Sequence, residues 1–406
     1  MSTHRAYIFT SVAALALVCI APLHVSAGGF YTAPANPVYN LGPEAAWMNP
    51  AGMTGVKTTA VTAGFGAALP IAEFDVSFAG AGGDDGGNAG VTGVFPAAFA
   101  VKPVGGLRLG LSILSPAGAI TGTGVDYGDN FVGRYGATKA ELSSLMIAPA
   151  LAYEVNDKLS LGLGVGANYS VFDETIAMNT PGADGRAHID DLDGWGGMFF
   201  AGLTYKFNPA TTLGVVYRSK SNVDIDGSIS FSNLPVQSPD ADVEIAWDNP
   251  QTLRLGLTHA FNPKWIVSAD VWWEDWSQFS NNRLAVTFAN NVTTVDILDR
   301  NFKDVYGGGL AVSHIAGPNI INLGLSYESS PVDDRDRTID LPLDSIFAVS
   351  LGVAHNSSES LTYAVGGSVL INGDGQVDQT SQGVRFAGEF DTNVVFLVGG
   401  SVQWRF

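Results

Sequence analysis

The sequence predicts an all-β protein: a transmembrane antiparallel β-barrel of about fourteen strands with a small N-terminal hatch inside it. Three observations predict this. Apolar residues recur at every second position along most of the chain. Short turns alternate with long polar connections. The last strand ends on an aromatic residue, Phe406.

The chain opens with an export signal. Arg5 supplies a basic start, Ile8 to Ile20 is an apolar run, and Val25-Ser26-Ala27 places small residues where a signal is cleaved. Residues 1–27 are therefore a signal peptide and Gly28 begins the mature chain. Cys19, the only cysteine, lies in the signal, and Val18 before it fits a lipoprotein site poorly. The mature chain then has no disulfide framework and no thiolate metal site. Losing Arg5 moves the formal charge from −19 to −20. So acidic a surface excludes nucleic acid as a natural partner, because phosphate binding needs basic residues.

No stretch after residue 27 is long and apolar enough for a membrane helix. Yet only 15% of residues are charged. A barrel reconciles the two, since only alternate residues of each strand face lipid.

Residues 28–57 do not alternate. They carry Phe30, several Ala and Pro, and the run Ala45-Ala46-Trp47-Met48-Asn49-Pro50-Ala51-Gly52-Met53. With the first strand starting near Thr58, residues 58–406 form the barrel and this segment is a hatch in its lumen. Phe30, Trp47 and Met48 would be wasted in solvent, which argues against a disordered tail.

Alternation then runs through the chain. Leu159, Leu161, Leu163, Val165, Ala167, Tyr169 and Val171 form one face of a strand, against Ser160, Gly162, Gly164, Gly166, Asn168 and Ser170. Phe199 to Phe207, Trp265 to Trp273, Ile321 to Tyr327 and Phe347 to Val353 repeat it. Short turns fall at Val104 to Gly106, Asn156-Asp157, Asn208 to Ala210, Asn262-Pro263, Ala316 to Pro318 and Asn356 to Glu359. Polar segments near 71–91, 117–140, 173–196, 226–245, 279–303, 330–344 and 374–389 are read as long loops. A soluble β-sandwich would need neither this alternation nor an aromatic end. In the final strand, Val394, Phe396, Val398, Val402, Trp404 and Phe406 share one face and Gln403 and Arg405 sit on the other. A strand ending in Phe resembles the C-terminal signature of bacterial outer-membrane barrels, which makes Phe406 the contact for the barrel-assembly machinery.

Several short motifs resemble one family. Asn49-Pro50-Ala51 near the mature N-terminus is similar to the signature of the FadL-type outer-membrane transporters. Val132-Gly133-Arg134-Tyr135, Ile147 to Tyr153, Tyr217-Arg218-Ser219-Lys220, Asp275-Trp276-Ser277 and Ile339-Asp340-Leu341-Pro342 continue the likeness in order. The resemblance implies an outer-membrane protein that passes long-chain fatty acids or other hydrophobic ligands. Loops capture the substrate, an internal pocket holds it, the hatch rearranges, and a gap beside a kinked third strand releases it into outer-membrane lipid. An aromatic-hydrocarbon channel of the same family is the alternative, and a non-specific porin or an adhesin lies further off.

The candidate site follows from these readings. Asn49, Pro50, Ala51 and Gly52 shape the hatch. Alternation turns Gly110, Ser112, Gly162, Gly164, Gly324 and Gly352 inward, which leaves room for it. Arg108, Arg218, Lys220, Arg254, Asp270 and Glu274 fall on the same face. Arg218, Lys220 or Arg254 could meet a fatty-acid carboxylate; alternatively Arg218, Arg254, Asp270 and Glu274 brace the wall across strands. Pro116 and Gly118 mark a strand break beside the lateral opening, because proline cannot donate to a ladder. Trp272, Trp273 and Trp276 are expected in the aromatic girdle at the lipid interface.

Catalytic chemistry has no visible carrier. The mature chain has four histidines, His188, His259, His314 and His355, with no nucleophile elbow and no zinc-ligand spacing. Asn372 to Asp378 lacks the closing Glu of a calcium loop, and Asp190 to Asp193 is read as a polar hairpin. No cofactor or metal is expected. A barrel that closes its own edges is expected as a monomer.

Overall fold

The computed structural model describes residues 42–115, 123–236 and 238–406. The expected signal peptide, residues 28–41 of the N-terminal segment, Pro116 and Gly118 lie outside the described residues. Within them, twenty β segments form one sheet. In chain order these are β1 (Ala60–Ala79), β2 (Gly93–Val104), β3 (Leu107–Leu114), β4 (Thr123–Asp126), β5 (Lys139–Glu154), β6 (Leu159–Met178) and β7 (Gly185–Asn208). Then come β8 (Thr211–Arg218), β9 (Ser221–Ser232), β10 (Ala241–Asn249), β11 (Thr252–Asn262), β12 (Trp265–Glu274), β13 (Asn281–Phe288) and β14 (Thr293–Asp299). The last are β15 (Val305–Ala316), β16 (Asn319–Glu328), β17 (Ile346–Asn356), β18 (Leu361–Asn372), β19 (Val377–Ser381) and β20 (Val384–Arg405). A short helix α1 (Ala45–Met48) and a 3-10 turn over Pro50–Gly55 precede them.

The sheet closes on itself. The circuit runs β1, β2, β3, β5, β6, β7, β8, β11, β12, β15, β16, β17, β18, β20 and back to β1, antiparallel throughout. Closure removes every unpaired edge from this wall, as a β structure in lipid requires. Among the described residues no helix is long and apolar enough to cross a membrane.

Counted as passes of the chain, the barrel sheet has sixteen strands rather than about fourteen, of which fourteen make the closed circuit. Four of the segment boundaries, β8/β9, β10/β11, β12/β13 and β14/β15, are interruptions within a single pass of the chain. The extra two are β4 and β19, which arise inside segments expected to be loops. β4 pairs with β5 and is bridged through Val125 to Gly90, and β19 pairs with β20; neither enters the closed circuit.

All six short turns fall between consecutive paired strands. Gly105 and Gly317 in two of them adopt φ of 58° and 63°, a region that disfavours a Cβ. At the opposite, loop end the strands run on further than the polar composition suggested. Residues 173–196 are mostly the end of β6 and the start of β7, and 226–245 mostly β9 and β10. The signal was present in the alternation of Val223, Ile225, Ile229 and Phe231, all buried.

The wall is apolar outside, and its inward face mixes small and polar residues with buried apolar ones such as Phe99, Met146 and Phe200. On β6, Leu163 is 64% exposed while Ser160 is 3% exposed. Leu161, Val165, Phe199, Leu310, Leu323, Leu351, Phe396 and Val398 continue the exposed band around the barrel. In water such a surface would drive aggregation; in lipid it is the matched face. Phe406 is 77% exposed, and its backbone N–H donates to the Thr59 carbonyl at 2.8 Å.

The sheet forks at its loop end. β7 pairs with β8 through residues 200–208 and with β9 through residues 186–197. β9, β10, β13 and β14 then form a flap above the wall strands β8, β11, β12 and β15. The fork shifts the inward face by one residue. Val216 and Arg218 turn inward on β8, but Ser221, Val223 and Ile225 do so on β9. Such slips invert which residues face the core.

Candidate functional site

The described part of the segment that precedes β1 packs against the inward face of the wall. Ala45, Ala46, Trp47, Met48 and Met53 are buried in one apolar cluster with Phe99, Val101, Leu114, Met146 and Phe200 of the wall, and Ala51 is buried beside them in sequence. Asn49 starts the 3-10 turn: its side-chain carbonyl accepts from the Ala51 N–H at 3.2 Å, and its amide donates to the Leu203 carbonyl at 3.1 Å. Pro50 fits the first position of that turn, where no N–H is needed. Thr54 Oγ1 lies 2.9 Å from both the Ala51 carbonyl and Ser160 Oγ. The Gly52 N–H donates to the Asn49 carbonyl at 2.8 Å.

Three wall glycines make the seat. A Cβ on Gly162 would come within 2.5 Å of the Pro50 carbonyl carbon, one on Gly202 within 2.9 Å of Pro50 Cδ, and one on Gly110 within 2.9 Å of Ala46 Cβ. These three glycines therefore do not enclose empty space; the segment lies directly on them, with its backbone over Gly162 and its side chains over Gly110 and Gly202.

Two arginines hold the segment from the wall. Arg108 Nε donates to the Val56 carbonyl at 2.8 Å. Arg218 donates to the Trp47 carbonyl at 2.9 Å, and its guanidinium stacks over the Trp47 ring at 4.8 Å. Trp47 meets Phe200 edge-on at 5.3 Å. Arg218 thus braces the inserted segment and not a neighbouring strand.

Arg254 is committed elsewhere. It pairs with Asp270 across β11 and β12, and its guanidinium lies 4.3 Å over the Trp272 ring. This is the bracing geometry expected for these two residues. Lys220 does not face the lumen. It sits past the fork, where the alternation has slipped, and pairs with Asp248 at 2.7 Å on the outer surface.

The three tryptophans also separate. Trp273 lies on the outward face opposite Tyr306, in keeping with a girdle. Trp272 points inward and donates to Glu328 Oε2 at 2.8 Å. Trp276 is buried in a 3-10 turn over Trp276–Phe279, stacked edge-on with Phe279 and Phe302 and donating to Glu274 at 3.1 Å. The even register of β12 explains Trp272, and the end of the strand at Glu274 explains Trp276.

Above the segment, at the loop end, is an apolar cavity of about 140 Å³. Ala68, Val91, Val125, Trp276, Val305, Leu341, Pro342, Leu343, Ile346 and Val395 line it, with Glu328, Asp340, Asp344, Asn372 and Asn393 as its polar groups. No Lys or Arg is among the described lining residues. Arg300 and Arg337 lie behind the acids. Arg300 pairs with Asp340 at 2.9 Å. Arg337 pairs with Asp344 at 3.2 Å and Asp334 at 2.8 Å and donates to the Leu343 and Gln376 carbonyls. Sequence reasoning picked out Ile339-Asp340-Leu341-Pro342 as a motif but not as a cavity wall, since its partners come from β1, β15 and β20.

Comparison with known proteins places this architecture. Residues 9–406 match the family described as outer membrane protein transport protein (OMPP1/FadL/TodX). The long-chain fatty acid transport protein of Escherichia coli O6:H1 is 24% identical over 300 residues, covering 64% of this chain and 65% of that protein. This chain therefore spans just under two thirds of that relative's length. Outer membrane protein P1 of Haemophilus influenzae is 26% identical over 263 residues, covering 52% and 54%. Among solved structures, a Pseudomonas aeruginosa FadL homologue superposes with a TM-score of 0.81 at 19% identity, covering 96% of this chain and 99% of that one. The Pseudomonas putida toluene transporter TodX gives 0.71 at 18% identity, covering 90% and 94%. At these identities the structural likeness is one of fold. The match along nearly the whole sequence, together with the closed antiparallel wall and its apolar outer band, shows that the chain belongs to the OmpP1/FadL/TodX family of outer-membrane transport proteins.

Proposed function

We propose that this chain passes hydrophobic molecules through the outer membrane, and that uncharged ones, aromatic hydrocarbons among them, suit it better than long-chain fatty acids. The loop-end cavity carries this reading. Its walls are apolar, so a substrate gains about 0.8 kcal/mol for each methylene withdrawn from water. Its charged lining among the described residues is acidic, with Arg300 and Arg337 committed to Asp340 and Asp344 from behind, so it presents no cation to a carboxylate head group. The three cations expected to meet such a head group are engaged: Arg218 with the Trp47 carbonyl, Arg254 with Asp270, Lys220 with Asp248. The fatty-acid reading draws its support from the Escherichia coli relatives, which carry that description.

In this proposal residues 28–57 act as a movable hatch. Asn49, Pro50, Ala51 and Gly52 shape its turn, and Arg108 and Arg218 hold it shut. Exit beside the loop end of β3, near Pro116 and Gly118, belongs to the same proposal, as does action as a monomer.

The test is uptake of labelled toluene and labelled oleate by a transporter-deficient strain. It would express the full chain or a version lacking residues 28–53. Toluene uptake exceeding oleate uptake, and altered by the deletion, is the expected result. Dominant oleate uptake would return the reading to fatty acids. Steady ion conductance with no uptake of either would make the protein a porin, and an inert barrel would leave adhesion.

A further inference from the structure

A second site lies outside the lumen, on the outward surface of the barrel's loop end. Asp173 on β6 and His188 and Asp190 on β7 each offer one ligand atom, and the three atoms lie within 4.8 Å of one another. A break in register brings them together. The β6–β7 ladder slips between Phe172 and Glu174, leaving Asp173 unpaired across from Asp190. Bulges of this kind re-aim side chains and interrupt ladder bonds.

We propose that Asp173, His188 and Asp190 bind one divalent transition-metal ion, with zinc the working example. One imidazole nitrogen with two carboxylate oxygens suits zinc and its first-row neighbours, whereas calcium and magnesium favour all-oxygen sets. Metal–ligand bonds of about 2.1 Å put neighbouring ligand atoms roughly 3–4 Å apart. His188 Nε2 and Asp190 Oδ1 are already 3.8 Å apart. Asp190 is exposed and can swing inward by the remainder, with water completing the shell.

Three further observations fit. His188 Nδ1 lies 2.9 Å from Thr175 Oγ1, which orients the ring and leaves Nε2 for the metal. Metal-bound histidines commonly have their other nitrogen held in this way. Asp173 Oδ1 is buried with no hydrogen-bond partner among the described residues, a costly state that a cation would relieve. Thr175 is itself anchored, since its carbonyl accepts from Thr138 Oγ1 at 2.9 Å. From the neighbouring strands, Lys139 and Glu141 of β5, paired at 3.2 Å, and Ser228 and Ser230 of β9 face the cluster. A bound ion would staple β6 to β7 where their ladder is broken. The inference is independent of what the lumen carries.

The experiment is zinc titration calorimetry on the untagged, metal-stripped full-length protein in detergent. Barrel integrity is checked by heat-dependent gel mobility. One zinc per chain is expected, with Mn²⁺ weaker and Ca²⁺ weaker still. His188→Asn should abolish binding, Asp190→Asn should weaken it, and Thr175→Val should weaken it roughly tenfold while keeping all three ligands. Thermal unfolding of the unaltered protein should shift upward with zinc, and that shift should vanish in His188→Asn. No saturable zinc binding would overturn the proposal. So would zinc binding that survives unchanged in both His188→Asn and Asp190→Asn, or calcium binding tighter than zinc.

Discussion

The Arg218 guanidinium donates to the Trp47 carbonyl at 2.9 Å and covers the ring of the same residue at 4.8 Å. One wall residue thus grips both the backbone and the side chain of the inserted segment. A hydrogen bond from a charged donor contributes about 1.5–3 kcal/mol and a desolvated cation–π contact about 2 kcal/mol. Arg218→Ala should therefore loosen the segment without unfolding the barrel. In planar bilayers the expected outcome is more frequent and longer conducting events. An unchanged, silent barrel would mean that Arg108 and the glycine seat hold the segment alone.

Gly162 should not tolerate a side chain. Pro50 rests on its Cα, so Gly162→Leu forces the segment off its seat or strains the wall at a cost of about 1–3 kcal/mol. Raised ion conductance from a heat-modifiable, folded barrel is expected. Gly308 is the control, because a Cβ added there would have no neighbour nearer than 3.4 Å. Gly308→Ala should leave conductance unchanged.

Lys220 is a negative prediction. Its pair with Asp248 lies on the surface, where such contacts contribute about 0–1 kcal/mol. Lys220→Ala should leave uptake of both toluene and oleate within error. A selective loss of oleate uptake would restore Lys220 as a head-group contact.

Asp340 sets the sign of the cavity wall beside Arg300. Asp340→Asn removes a negative charge and leaves the Arg300 guanidinium without this counter-charge. Losing one member of a buried pair costs about 3–5 kcal/mol, so thermal stability should fall. Oleate binding, followed by fluorescence displacement, should rise relative to toluene. A fall in both would indicate collapse of the cavity instead.

Phe406 ends the closing strand exposed to lipid, with its backbone N–H bound to Thr59. Phe406→Ala removes little packing, yet if the assembly machinery reads this residue, folded barrel in the outer membrane should drop several-fold. Refolding of the purified variant into lipid vesicles should proceed as before. Equal loss in both settings would assign Phe406 to stability and not to assembly.

Much of the barrel wall was legible because lipid on one side and a different interior on the other impose a period of two. Leu161 to Val171 and Phe396 to Phe406 carry that period openly. The six turns were legible for a different reason: tight reversals demand Gly, Asn, Asp or Pro whatever surrounds them. The loop end was read less well. Outside the membrane both strand faces can be polar, so residues 173–196 looked like a loop although Ala187 and Ile189 alternate inward. Lys220 was put on the wrong face because the parity of a strand is a local property, lost at each interruption, whereas Trp272 lies on the same inward parity as Asp270 and Glu274.

Short-range rules were enough to read the class of the protein, its exported barrel, and a non-alternating segment that had to go somewhere dry. Hydrophobic period, turn chemistry and the burial of Trp47 and Met48 are all visible within a few residues of chain. The grip of Arg218 on that segment, its seat on Gly162 and Gly202, and the acidic lining of the loop-end cavity emerged with the folded barrel. So did the approach of Asp173 to His188. Each of these joins residues from separate strands, and register, forking and bulges set such contacts through closure of the whole sheet and not through any local run of residues.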